Sequence, residues 1–363
     1  MSVAEVIRQH RLLVCIGTGG VGKTSLSAAI ALVGALAGRK AAVLTIDPAR
    51  ALGRALGIGD LGSDLSPVDD EFLRSAGLAP TGTLSAGMLE QSRAWDAFVE
   101  RHAPTPGAAR SILDNGFYRQ LSRGFSGSTE YVAVEELCRL HESGRYDLIV
   151  LDTPPAAHGL DFVRAPSRID KLLDPEVIGA LLRPQPVASR IWRLLENATG
   201  TQTLSEVSSL VSSFERLFEA VRRRSHQSQT LLRSATTAFV LVSGPESEAL
   251  FGAKSLHASL KTLGIPLRAV VQNRTHPLRA TSEGDVNALL DGLTADGIDA
   301  ASIHWLRSVH ADASLTARAE ARSWEAFRAD LPAEVVCTRV PELDHDVHSI
   351  SDLAKLAGPL VAG

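Results

Sequence analysis

Residues 17–25, GTGGVGKTS, are compatible with two different phosphate chemistries. Gly17, Gly19 and Gly22 fit the G-x-G-x-x-G of a dinucleotide loop, with Asp47 near the spacing at which such a site places its ribose acid. Gly17, Gly22, Lys23 and Thr24 also fit G-x-x-x-x-G-K-[ST], a nucleoside-triphosphate loop. The end of the stretch decides. A dinucleotide loop has no task for Lys23 or Thr24. In a triphosphate loop, backbone N–H groups form a nest around the phosphates, the lysine neutralises β and γ oxygens, and the hydroxyl ligates Mg²⁺.

That choice gives two distant aspartates a role. Asp47, in TIDPARAL, ends an apolar stretch where a carboxylate can face a γ-phosphate. Asp152 follows four apolar residues in LIVLDTPP, the pattern of a carboxylate that holds Mg²⁺, generally through water. The plainer role for either is to cap the next turn.

The elements that must position these residues follow from the apolar pattern. LLVCIG (12–17), AAVLTID (41–47), RYDLIVLDTPP (145–155), TTAFVLVS (236–243), PLRAVVQN (266–273) and AEVVCTRVP (333–341) read as buried strands. The stretch from Lys23 to Ala37 is apolar almost all round and long enough for a buried helix. Helical stretches separate most strands, which predicts an α/β fold with a mostly parallel sheet covered by helices on both faces. Residues 53–130 and 156–235 show helical patterns without a convincing strand, so they are expected to contribute a helical subdomain inserted into one domain spanning 1–363. Within the second, Leu204, Val207, Leu210, Val211, Phe214, Leu217, Phe218 and Val221 form an amphipathic stripe, suited to helix packing or to a groove for an apolar partner.

Composition narrows the class. The 363 residues are 45% hydrophobic and 21% charged, enough for a sizeable core, and a net charge of -4 gives no reason to expect a nucleic-acid partner. The basic cluster Arg222 to Arg224 reads as a solvated helix face. No signal-peptide core or membrane-length apolar run is present, which points to the cytoplasm. Cys15, Cys138 and Cys337 are isolated and read as buried small hydrophobes.

GGVGKTS, TIDPARAL and VLDTPPAAHGLDF, in this order and spacing, resemble the arsenite-pump ATPase (ArsA) family, which includes the targeting ATPase for tail-anchored membrane proteins and belongs with the dimeric deviant-Walker P-loop NTPases. NGFYRQLSRGFSGSTEYVAVEELCRL and VPELDHDVHSISDL resemble a bacterial branch of that family, so the likeness covers nearly the whole chain. The resemblance implies that Gly19, Gly20, Val21, Gly22, Lys23, Thr24 and Ser25 bind the phosphates of ATP, and that Thr24 ligates Mg²⁺. Asp47 would position the attacking water, Asp152 would be the Mg²⁺ carboxylate of the second switch, and His158 matches a histidine of that switch. Asn273 would read adenine, under a loop containing Pro341 and Glu342.

The departures concern charge and cargo. The family places a lysine where Thr18 stands, and that lysine crosses a dimer interface to the partner's phosphates. Thr18 cannot supply the charge, and Arg50, where relatives have histidine, is the candidate replacement. The clustered thiolates of the arsenite pump, and the C-x-x-C clasp and methionine-rich groove of the targeting ATPase, are missing. The string DHDVH, with Asp344, His345, Asp346 and His348, has metal-ligand residue types but falls within the stretch that resembles the adenine loop and the helix after it.

The expected function is therefore a Mg²⁺-dependent ATPase acting as a homodimer or heterodimer, a switch whose helical subdomain engages a protein client or membrane partner. The alternatives are the energising subunit of an anion transporter and a small-molecule phosphotransferase.

Overall fold

The computed structural model describes residues 2–46, 50–59, 62, 64–103, 105–114, 128–154, 156–172, 219–277, 283–295 and 298–362. Among them, eight strands form one sheet: β1 (Leu12–Gly17), β2 (Lys40–Thr45), β3 (Ser66–Pro67), β4 (Thr83–Met88), β5 (Leu148–Asp152), β6 (Thr237–Ser243), β7 (Leu267–Thr275) and β8 (Val336–Pro341). Their spatial order is β3-β4-β2-β5-β1-β6-β7-β8. All neighbours are parallel except β3 with β4. The six expected strands are present, and β3 and β4 are additions within the stretch from 53 to 130. TLSAGM makes a poor strand by composition, lacking β-branched apolar residues. Pairing with β2 from Lys40↔Thr83 to Thr45↔Met88 and burial of Leu84 and Ala86 override that preference.

Because both faces of the sheet are covered, its central strands are apolar throughout, and their alternation shows only in which core each side chain joins. Leu13 and Cys15 of β1 join Val43, Val150 and Val240 on one face. That face carries α1 (Val3–Gln9), α2 (Lys23–Leu36), α3 (Arg50–Ala55), α4 (Asp70–Ser75) and α13 (Ile350–Ala362). Leu12, Val14 and Ile16 join Leu44, Leu151 and Leu241 on the other. There the cover is α7 (Ser128–Glu142), α8 (Ala156–Leu172), α10 (Ser247–Thr262) and the C-terminal part of α12 (Ala300–Ala329).

A separate cluster joins α5 (Gln91–His102), α6 (Pro106–Leu113), α7, α8 and a helix α9 over residues 219–232. Phe98, Val99, Ile112, Tyr131, Ala165 and Val221 are its core, and Trp95 stacks on Tyr131 with ring centroids 5.6 Å apart. Leu204 to Phe218 of the amphipathic stripe lie outside the described residues. Between β7 and β8, α11 (Glu283–Ala295) and α12 form a hairpin. At 30 residues, α12 is about 45 Å long.

The basic cluster does not read as the sequence suggested. Arg223 is exposed, but Arg224 turns inward and its Nε donates to the buried Glu135 at 2.8 Å. Its helix packs by a stripe of Val221, Ser225 and Ser228, all buried, and Arg224 lies at the edge of that stripe.

Candidate nucleotide site

Local sequence builds the loop between β1 and α2. Gly22 is the N-cap of α2 with φ +82°, the left-handed region open to glycine, and Gly20 has φ +77°. The chain therefore turns sharply from a buried strand into a buried helix, and the first amides of α2 face the turn with the positive end of its dipole. Gly19 and Gly20 are exposed at the tip. Lys23 is buried, and its Nζ donates to the Thr18 carbonyl at 2.9 Å.

The sheet order brings in the rest. β5 lies beside β1, pairing Cys15 with Asp152, so the Asp152 carboxylate reaches the start of α2. Thr24 Oγ1 donates to Asp152 Oδ2 at 2.6 Å, and Thr45 Oγ1, from the end of β2, donates to the same oxygen at 3.0 Å. Asp152 is only 2% exposed. Thr153 Oγ1 donates to the Cys15 carbonyl at 2.8 Å, fixing the chain just past the carboxylate. The Cys15 thiol, beneath them, is pushed up to about 12, first by burial. Two hydroxyls and a carboxylate converging in this way are hard oxygen donors of the type that Mg²⁺ takes. Thr45 was missed in the sequence, because a threonine at a strand end carries no signal until the strand is placed next to β5.

Asn273 arrives from β7, two strands from β1. Its Nδ2 donates to the Val21 carbonyl at 2.9 Å, and its Oδ1 makes no hydrogen bond among the described residues. The strand is irregular there: Arg274 has φ +58°, and the pairing with β8 shifts between Gln272 and Thr275. Pro341 pairs with Thr275, and the Glu342 N–H donates to the Thr275 carbonyl at 3.1 Å, so residues 341–342 meet β7 two residues beyond Asn273.

Asp47 lies outside the described residues; the strand leading to it ends beside Asp152, with Ile46 N–H donating to the Asp152 carbonyl at 3.3 Å. Arg50 opens α3, and His158 lies in the first turn of α8. Thr18 packs against α10. A Cβ on Gly252 would lie 2.5 Å from Thr18 Cγ2, so the methyl occupies space that glycine leaves.

The DHDVH string leads into a helix cap made by Ser349 and Asp352, to which two of its residues donate. Asp352 accepts from His345 Nε2 at 3.0 Å, from the N–H groups of His348 and Ser349, and from Ser349 Oγ at 2.8 Å. Burial alone would raise its pKa, but these donors hold the acid well below the usual carboxylate range at the N-terminus of α13.

The family model for anion-transporting ATPases matches residues 10–288, from β1 through the loop, β5 and Asn273. The chain belongs to that family, the ArsA ATPases. Its fold is that of a P-loop NTPase and its activity is ATP hydrolysis. It is similar to the ATPase get3 of Neurospora crassa, at 26% identity covering 74% of each chain. With the ATPase GET3 of Kluyveromyces lactis it shares 30% identity, over 58% of this chain and 59% of that one. With the ATPase GET3C of Arabidopsis thaliana it shares 25%, over 75% and 68%. These relatives are eukaryotic, so they support the family but not the bacterial branch that the sequence segments suggested.

Proposed function

We propose that this ArsA-family ATPase is a Mg²⁺-dependent, dimeric, cytoplasmic switch whose helical cluster engages a protein client or membrane partner. The observation that carries the site is the meeting of Thr24, Asp152 and Thr45 beside the Lys23 loop. In this reading the N–H groups of Gly19 to Ser25 cradle the phosphates. Lys23 exchanges the Thr18 carbonyl for β and γ oxygens. Asp47 orients a water whose oxygen attacks the γ-phosphorus while the β–γ bridging oxygen leaves with ADP. Thr24 would hold Mg²⁺ directly and Asp152 through water, and the ion would neutralise phosphate charge. Asn273 Oδ1 would accept from the exocyclic amine of adenine, with Pro341 and Glu342 over the base. Arg50 would supply the charge that Thr18 lacks.

The coupling has a short path. α8 begins four residues after Asp152, and its Ala165 is packed into the helical cluster. A shift of residues 152–156 on hydrolysis would pass directly to that helix. The family description favours anion transport as a second reading. A thiolate-held anion would find poor ligands in Cys15 and Cys138, whose thiols burial pushes up to about 12. Among the described residues, no helix is long and apolar enough to cross a membrane.

Lys23→Ala tests the site. Magnesium-dependent turnover should fall on the order of 10²- to 10³-fold, as for loss of a charge-stabilising donor; undiminished turnover would refute the assignment. Arg50→Ala should slow turnover while ATP still binds. Light scattering of Asp47→Asn with ATP and Mg²⁺ should give twice the chain mass, and a monomer under those conditions would remove the dimer.

A further inference from the structure

Asn273 is 4% exposed, and its amide is turned toward the phosphate loop. The orientation is chemically fixed, because the Val21 carbonyl can only accept, so the NH₂ group must face it at 2.9 Å. Val21 sits between the two glycines of positive φ, Gly20 and Gly22, and its own side chain is buried in the core under α2. The bond therefore ties the middle of the loop to a strand two places away in the sheet. Space has been left for it. A Cβ on Gly22 would lie 2.4 Å from Asn273 Nδ2, so Gly22 both turns the chain and admits the amide. The strand also changes pairing at this point. The register shift after Gln272 and the left-handed Arg274 break the regular course of β7 beside Asn273, strain of a kind that persists only where the surroundings enforce it.

We propose that Asn273 is a positioning residue for the phosphate loop, its Nδ2–H holding the Val21 carbonyl so that the loop amides are set for a polyphosphate before any base is bound. The inference rests on the reading of this loop as a triphosphate site. It differs from base recognition in one respect: it acts on ligands that have no base. A preformed nest binds anions without the cost of ordering its backbone, so cutting the latch weakens the polyphosphate itself.

The test compares ATP with magnesium tripolyphosphate, on wild type, Asn273→Ala and Asn273→Asp. The aspartate keeps the shape but presents an acceptor to the Val21 carbonyl. Wild type should bind both ligands. Both variants should bind tripolyphosphate roughly five- to tenfold more weakly, the worth of one buried neutral hydrogen bond, with Asn273→Asp the weaker. KM for ATP should rise more than kcat falls. Loss confined to ATP, with tripolyphosphate binding unchanged, would overturn the latch and leave Asn273 a base contact. If wild type bound neither ligand, the triphosphate-site reading itself would fail and take the latch with it. Should the variants not fold, the nucleotide-free wild type decides: an Asn273 side-chain amide proton protected from exchange supports the latch, and exchange of both protons at the rate of a free amide overturns it.

Discussion

Two buried carboxylates, Asp152 at the end of β5 and Glu135 within α7, are held by different kinds of donor. Asp152 Oδ2 accepts from the hydroxyls of Thr24 and Thr45. Glu135 is held by guanidinium groups: Arg224 Nε at 2.8 Å and Arg101 at 3.8 Å, with His102 at 4.0 Å. A hydroxyl can rotate and turn its lone pairs to a metal ion. A guanidinium has only donors and carries its charge permanently. Two buried acids in one fold are thus held differently: the first by hydroxyls that the proposed site could exchange for a metal ion, the second as a brace between α5, α7 and α9.

The surest way to break this contrast is to exchange effects. Asp152→Asn should lower magnesium-dependent turnover about 10- to 100-fold, the usual effect of losing a carboxylate that orients a metal's ligands, with little change in the unfolding midpoint. Glu135→Ala should do the reverse. Arg224 keeps the half-exposed Glu142, so loss of its buried partner should cost about 1.5–3 kcal/mol in denaturant unfolding, the worth of a hydrogen bond to a charged group, while turnover per folded molecule is retained. Equal effects of the two variants on both readouts would erase the distinction.

Acid sharpens it. Burial alone would raise the Glu135 pKa, but the His102 ring, the Arg224 donor and the charges of Arg224 and Arg101 outweigh it and hold the group below its ordinary value. Its contribution is therefore fully present above the unfolded value of about 4.3, and is lost as pH falls through the depressed folded value. Stability of the wild type should drop below about pH 5 more steeply than that of Glu135→Gln; parallel curves would contradict the brace.

The smallest effect concerns Thr18. Gly252→Ala should push on Thr18 Cγ2 and weaken ATP binding, and Thr18→Ser, which removes that methyl, should restore most of the loss. Additive losses in the double variant would show that the contact does not shape the loop.

How much was legible depended on the range of the interaction. The family, the loop and the six long strands could be read, because each is a local pattern of residue types. β4 could not, since Thr83–Met88 is a strand only by pairing with β2 and packing beneath its neighbours. Arg224 was misread for the same reason, its partner Glu135 being 89 residues away.

The sequence by itself determined that residues 17–25 have the pattern of a triphosphate loop rather than a dinucleotide loop, because glycine, lysine and threonine carry their chemistry wherever a strand meets a helix. Only the tertiary structure decided which oxygens Thr24 meets, that Asn273 faces the Val21 carbonyl, and that Thr18 fills the space above Gly252. Those contacts join residues 128, 252 and 234 positions apart, and parallel strand order, which no short stretch encodes, is what closes such distances.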